Sequence, residues 1–371
     1  MIVVAFHLFE TYSAGPAYQI LNHGYLAVDF FFILSGFVIG YAYDNRWERM
    51  TVWDFFKRRL IRLQPMVILG TLIGAFWFYF GGAPGFELLM QTPWWKLLLV
   101  TLLGCLMIPT PPSMDVRGWQ EVNSLNGAVW SLMWEYIANI LYALFIRRLG
   151  TKMLAALVVL SAFLTVDLAL NIDVFSLLGA RSGAEYTVIG GFCLTPDQIY
   201  IGVCRLLYPF LCGLLLYRLG NWRIRINRGG MFWCSLVVAV VLVIPHVGGD
   251  ARPWLNGLYC AVAILFVFPA VVAAGAGSPL TGKKTTAVCK FLGRISYPLY
   301  ITHYPMIYVQ MNWAAHHADA PLGTHIWVAS AIFAASLAIA YACVKVYDEP
   351  VRNWLSDRFL SGIRCRSAKN S

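Results

Sequence analysis

The sequence predicts an all-α polytopic membrane protein of about ten transmembrane helices, with both termini cytoplasmic. Three observations lead there. Of 371 residues, 59% are hydrophobic and only 12% are charged, against about 25% charged in a soluble domain. Apolar runs of about 20 residues, long enough to cross a bilayer, recur along the chain. The basic residues sort by side: with the N-terminus placed inside, the inner loops and C-terminal tail hold 23 Lys and Arg and the outer loops hold 4. That asymmetry follows the positive-inside rule.

The expected spans are residues 1–14, 25–43, 65–82, 126–146, 151–171, 200–217, 231–247, 254–276, 290–311 and 324–345. The first contains His7 and is short for a crossing. In the second, Tyr25, Asp29, Gly36 and Gly40 share a face, and Gly36 with Gly40 makes a G-x-x-x-G close-packing site. A carboxylate such as Asp29 costs roughly 2.5–3.5 kcal/mol inside a spanning helix on insertion scales, so it is rarely kept without a use. Lys57, Arg58, Arg59 and Arg62 then form a basic cluster that Pro65 is expected to stop, ahead of the third span. Such clusters usually anchor helices to anionic lipid. Arg59 and Arg62 are one turn apart, however, and suit a phosphate-bearing ligand equally well.

Residues 94–108 are apolar but short, and counting them as a span would put every later basic loop outside. They are expected to form an interfacial or re-entrant helix on the outer side. In 126–146, Ser131, Glu135 and Asn139 recur every fourth residue beside Trp130 and Trp134. Arg205 stands about one turn into 200–217. Ser296, Tyr300, His303 and Gln310 form a stripe in 290–311, with Tyr297 beside it. Hydroxyls commonly bond across membrane helices and serve as glue. His7, Asp29, Glu135, Arg205 and His303 together exceed what packing requires, although Arg205 also suits plain neutralisation of Asp29 or Glu135.

Several function classes lose support. The net charge of +10 follows topology rather than a basic face on a soluble domain, so no nucleic-acid partner is expected. Nine single cysteines, without C-x-x-C or a Cys/His cluster, read as free thiols and predict no metal site. No signal peptide, tandem repeat or low-complexity segment is visible, and one membrane-embedded domain, 1–347, is expected before a short basic cytoplasmic tail, 348–371. G-x-x-x-x-G-K-[ST], G-x-S-x-G and H-E-x-x-H are missing, and His23 precedes Asp29 by six positions, not the five of soluble glycerolipid acyltransferases.

Four motifs in order resemble the acyltransferase-3 family of integral membrane acyltransferases. GYLAVDFFFILSGF resembles the family's Val-Asp-x-Phe-Phe-x-x-Ser-Gly-Phe helix. RRLIRLQP is similar to its Arg-x-x-Arg-x-x-Pro element, on Arg59, Arg62 and Pro65. NGAVWSLMWE resembles the Trp-Ser-Leu-x-x-Glu helix ending at Glu135. FLGRISYPLYITHYP is similar to the late Gly-x-x-Ser-Tyr…Tyr-x-x-His element, on Gly293, Ser296, Tyr297, Tyr300 and His303. The final YDEPVR matches only loosely.

The resemblance implies transfer of an acyl group, usually acetyl, from cytoplasmic acyl-coenzyme A to a hydroxyl of an extracytoplasmic or lipid-linked carbohydrate. It implies a bacterial inner membrane, surrounding lipids, and acyl-CoA as co-substrate with no permanently bound cofactor. The family's histidine is His7 here, with Asp29, Glu135 and Arg205 supporting it. Arg58, Arg59 and Arg62 are then expected to bind the coenzyme, and Trp130, Ser296, Tyr297 and His303 the substrate. A family arginine would fall ahead of Met1, so the first helix is expected to be truncated. The rival expectation is a proton-coupled transporter or flippase of a lipid-linked sugar using the same buried groups as a relay, although no inverted repeat supports it.

Overall fold

The computed structural model describes residues 1–81, 88, 91–181, 183–220, 224–226, 229–280 and 282–369, with side chains as far as Leu360. Among these residues the chain is helical and has no strand. The helices are α1 (Ile2–Glu10), α2 (Ala27–Tyr43), α3 (Val52–Phe80), α4 (Trp94–Cys105), α5 (Val129–Leu144), α6 (Thr151–Ala169), α7 (Pro196–Leu219), α8 (Gly230–Val243), α9 (Trp254–Val262), α10 (Phe268–Gly277), α11 (Lys283–His316), α12 (Leu322–Cys343) and α13 (Glu349–Lys369). Single π-helical turns, Ala263–Val267 and Val344–Asp348, carry α9 into α10 and α12 into α13.

Seven segments among the described residues are long and apolar enough to cross a membrane: Gly24–Arg46, Val52–Phe80, Val129–Arg148, Thr151–Ala169, Pro196–Leu219, Trp254–Gly277 and Leu322–Leu360. The protein is therefore an integral membrane protein. These segments match seven of the ten expected spans. Of the other three, α1 has 9 residues and α8 has 14. The third, α11, has 34 residues but carries Lys283, Lys284, Lys290 and Arg294 in its first turns.

One expected boundary differs from the structure. Pro65 does not stop the basic cluster, because α3 begins at Val52 and runs through Pro65. Its start is a capping box: the Thr51 hydroxyl accepts from the Asp54 N–H while the Thr51 N–H donates to the Asp54 carboxylate, each at 3.1 Å. A proline is tolerated inside such a helix where neighbours satisfy the backbone around it. The Tyr297 hydroxyl donates to the Leu63 carbonyl at 2.7 Å, and Gln64 donates across to the Cys105 carbonyl at 2.6 Å. At about 1.5 Å per residue the helix is about 43 Å long. That exceeds a hydrocarbon layer of about 30 Å, enough to carry the basic first turns clear of it. At the other end of the chain, residues beyond 348 continue as α13, which packs on α3.

The chain forms two compact units, one of Met1–Arg46 with Trp134–Ala287 and the other of Trp47–Met133 with Val288–Ser371. In the first, α2 and α7 run parallel and make the most extensive helix pair. Their closest approach needs glycine on both sides. A Cβ on Gly36 would lie 2.0 Å from the Phe210 carbonyl oxygen, and one on Gly213 would lie 1.9 Å from that of Ile33. Gly40 continues the seam against Leu214 and Tyr217, so the expected G-x-x-x-G does lie at a helix contact. Beyond the seam, Arg218 pairs with Asp44 at 2.6 Å, and Asp44 also accepts from the Tyr142 hydroxyl at 2.8 Å.

In the second unit, α4 folds back along α3 without crossing. Leu97 and Val100 pack in the same cluster as Phe78, Gly104 lies against Thr71, and Cys105 meets Gln64. With 12 residues it is about 18 Å long, too short to span. Its length agrees with the expectation that residues 94–108 do not form a span. The following loop returns to Leu125, whose carbonyl sits over Gly74.

Candidate active site

The first unit holds four of the polar groups expected to act together, His7, Asp29, Glu135 and Arg205. His7 lies on α1, which Gln19 ties down by donating to the Phe6 carbonyl at 2.7 Å. Gly24 lets α1 settle beside the start of α2, since a Cβ there would stand 2.3 Å from the Phe6 ring. The His7 Nδ1 contacts the Glu10 carboxylate at 2.8 Å, with the two side chains 20% and 42% exposed. A carboxylate on Nδ1 fixes the tautomer that puts the basic lone pair on Nε2.

Asp29 is fully buried and held in a fork by Arg205, with Nε to Oδ1 at 3.2 Å and Nη2 to Oδ2 at 2.7 Å. Arg205 also donates to the Tyr25 carbonyl at 2.8 Å and to that of Gly190 at 3.2 Å. Of its two expected uses, neutralising a carboxylate is the one the geometry displays. Glu135, also buried, has both carboxylate oxygens 2.7 Å from the Ser35 hydroxyl, and Asn139 one turn on donates to its backbone carbonyl. The polar motif of α2 thereby resolves into separate duties: Asp29 for Arg205, Ser35 for Glu135, and Gly36 for the helix crossing.

The second unit holds the basic cluster. Arg58 and Arg59 are half-buried on the first turns of α3, and Arg62 is exposed. Arg62 feels Arg59 and Arg352 as like charges and Asp348 as the opposing one. Arg352 pairs with Asp348 at 3.0 Å. Two guanidinium groups, those of Arg62 and Arg352, therefore face the buried Asp348 carboxylate, with Arg59 beside Arg62. Nearby, Arg294 and Lys345 contact Glu349 at 3.2 and 3.5 Å.

The remaining candidates lie elsewhere in this unit. Ser131, next to the buried Trp130, bonds the Tyr300 hydroxyl at 2.5 Å. His303 is fully buried, and its Nδ1 meets the Leu299 and Tyr300 carbonyls at 3.1 and 2.8 Å, so Nδ1 carries the proton. Tyr297 is engaged with α3 as described, and the exposed Ser296 bonds back to the Gly293 carbonyl at 3.0 Å.

Three residues were missed by sequence reasoning. Glu10 follows His7 by three positions, a signal that could have been used. Ser35 sat inside a quoted motif but was not singled out. Arg352 carried no local signal, since only the fold of α13 onto α3 brings it to Arg62.

Comparison with known proteins comes down on one family. A family profile described as "Acyltransferase domain", the acyltransferase-3 profile, matches residues 1–345. The chain is 30% identical over 171 residues to "Protein 2 in picA locus" of Rhizobium radiobacter, covering 44% of this chain and 84% of that protein. It is 22% identical over 361 residues to the O-acetyltransferase OatA of Staphylococcus aureus, covering 90% of this chain and 53% of the relative. The chain thus spans about half the length of the latter. No solved structure gives a significant match.

Proposed function

Because the chain belongs to the acyltransferase-3 family, we propose that it moves an acyl group from cytoplasmic acyl-coenzyme A to a hydroxyl of an extracytoplasmic or lipid-linked carbohydrate, in a bacterial inner membrane. Acetyl is the favoured group, since the Staphylococcus aureus relative is named an O-acetyltransferase. The observation that carries the chemistry is the contact of His7 Nδ1 with Glu10. A sugar hydroxyl is a poor nucleophile at neutral pH and needs a base that titrates near it, which histidine is.

In the proposed reaction, His7 Nε2 takes the proton of the attacking hydroxyl while its oxygen forms a bond to the thioester carbonyl carbon. The tetrahedral intermediate collapses with cleavage of the carbon–sulfur bond, and the imidazolium returns the proton to the departing coenzyme A thiolate. Glu10 orients the ring and stabilises its charged form. Arg58, Arg59 and Arg62 take the phosphates of the coenzyme, with Arg352 as a fourth cation. Asp29 and Arg205 brace α2 against α7 next to the start of α2. Glu135, Trp130, Ser296, Tyr297 and His303 remain candidates for supporting the base or the acceptor.

The test uses the full chain in lipid nanodiscs with radiolabelled acetyl-CoA and surface polysaccharide fragments. Label transfer to glycan with stoichiometric release of free coenzyme A is expected, and its loss in His7→Ala at unchanged expression supports the assignment. Transport of a lipid-linked sugar without thiol release would put a transporter in its place.

A further inference from the structure

At the end of the second unit away from Arg59, the loop between α4 and α5 is built with more internal order than a connection needs. Asp115, 8% exposed, gathers it: Oδ1 accepts from the Arg117 N–H at 3.0 Å and the Ser124 hydroxyl at 2.9 Å, and Oδ2 from the Gln120 N–H at 2.8 Å. Lys96 of α4 donates to the Asp115 carbonyl at 2.9 Å. Arg117 is buried, its guanidinium carbon 3.5 Å over the Tyr308 ring of α11 and 5.1 Å from the Phe78 ring of α3. Burial pushes its pKa down, while Tyr308 and Glu121 push it up. The Tyr308 hydroxyl donates to Glu121 at 3.2 Å and accepts from the Gly127 N–H at 3.2 Å.

This mount presents Trp119. The residues on either side, Gly118 and Gln120, both have left-handed φ, +91° and +55°, a conformation that for a non-glycine persists only where its surroundings impose it. The indole is 41% exposed and its ring lies 6.0 Å from that of Tyr308. Glu121, half-buried, carries a carboxylate already oriented by that phenol. Pyranose rings have one apolar C–H face and a rim of hydroxyls. An aromatic plane takes the face, and an oriented carboxylate takes two hydroxyl protons.

We infer that Trp119 and Glu121 form a binding subsite for a pyranose ring of the acceptor carbohydrate. This rests on the acyl-transfer function proposed above for its biological meaning, but the recognition chemistry stands on its own. Arg117, which holds this loop, lies over Phe78 toward one end of α3, whereas Arg59 and Arg62 occupy the first turns at the other end.

The experiment measures binding of the full chain in nanodiscs to an array of hexose, N-acetylhexosamine and uronic acid oligosaccharides. Binding to at least one pyranose class is expected, reduced about 10-fold or more in Trp119→Ala and Glu121→Gln and less in Trp119→Phe. Trp94→Ala, at a 74% exposed position on α4, should bind like the parent. A parent that binds no glycan overturns the subsite, as does undiminished binding by Trp119→Ala, which would make Trp119 an interfacial lipid anchor. Acceptor kinetics separate this from the proposed function. Trp119-dependent binding without acyl transfer leaves the subsite and removes the transferase. Acyl transfer with an unaltered acceptor KM in Trp119→Ala does the reverse.

Discussion

Arg205 of α7 grips Asp29 of α2 through two nitrogens at 3.2 and 2.7 Å, with neither side chain more than 1% exposed. Removing one partner leaves a buried charge without its counterion, which costs about 3–5 kcal/mol. Arg205→Ala should therefore lower the melting temperature of the detergent-solubilised protein strongly, and Arg205→Met with Asp29→Asn should recover part of the loss. A single variant with unchanged melting but lost turnover would move the pair from bracing to chemistry.

The crossing of α2 and α7 gives a second prediction. Gly213→Ala places a methyl carbon 1.9 Å from the Ile33 carbonyl, a backbone atom that cannot swing aside. The helices must separate, and overpacking of this kind typically costs about 1–3 kcal/mol or more. Limited proteolysis of membranes should cut Gly213→Ala faster than the parent. Gly275→Ala, which meets nothing within 4 Å, should behave as the parent does.

The His7–Glu10 contact predicts graded kinetics. His7→Ala should lower kcat about 10²–10⁴-fold, the usual contribution of a positioned base. Glu10→Gln keeps a hydrogen-bond acceptor but removes the charge that stabilises the imidazolium. It should lower kcat by a smaller factor and leave both KM values near the parent's. Equal activity of Glu10→Gln and parent would leave His7 to be oriented by another group.

For the donor end, Arg352→Ala should raise the KM for acetyl-CoA about 10-fold while kcat holds, in line with a charge-assisted contact worth about 1.5 kcal/mol. Raising ionic strength should weaken donor binding by the parent more than by the variant. An altered acceptor KM with the donor KM intact would take Arg352 out of the phosphate cluster.

How much of this was legible in the sequence differs by element. The membrane class, the glycine seam and the short α4 were readable because composition, i/i+4 spacing and length carry them directly. The start of α3 was not. Pro65 read as a stop because an isolated helix would break there, whereas α3 starts at the Thr51 capping box and continues through the proline. The site was legible as a set of residue types but not as pairs. Periodicity put Asp29, Glu135 and Arg205 on inward faces and offered either carboxylate to Arg205 without choosing between them, and Ser35 was overshadowed by the glycine beside it. Arg352 and Arg62 lie 290 positions apart, a separation no local pattern bridges.

The continuity of α3 through Pro65 makes the helix a ruler. From Arg59 to Phe78 it measures about 28 Å at 1.5 Å per residue. Phosphates held at one mark and a sugar resting by the other would be separated by nearly the thickness of the hydrocarbon layer. Neither reactant can then stay wholly in its own aqueous compartment. On the proposed placement, the thioester arm and the sugar hydroxyl would have to share that distance between them.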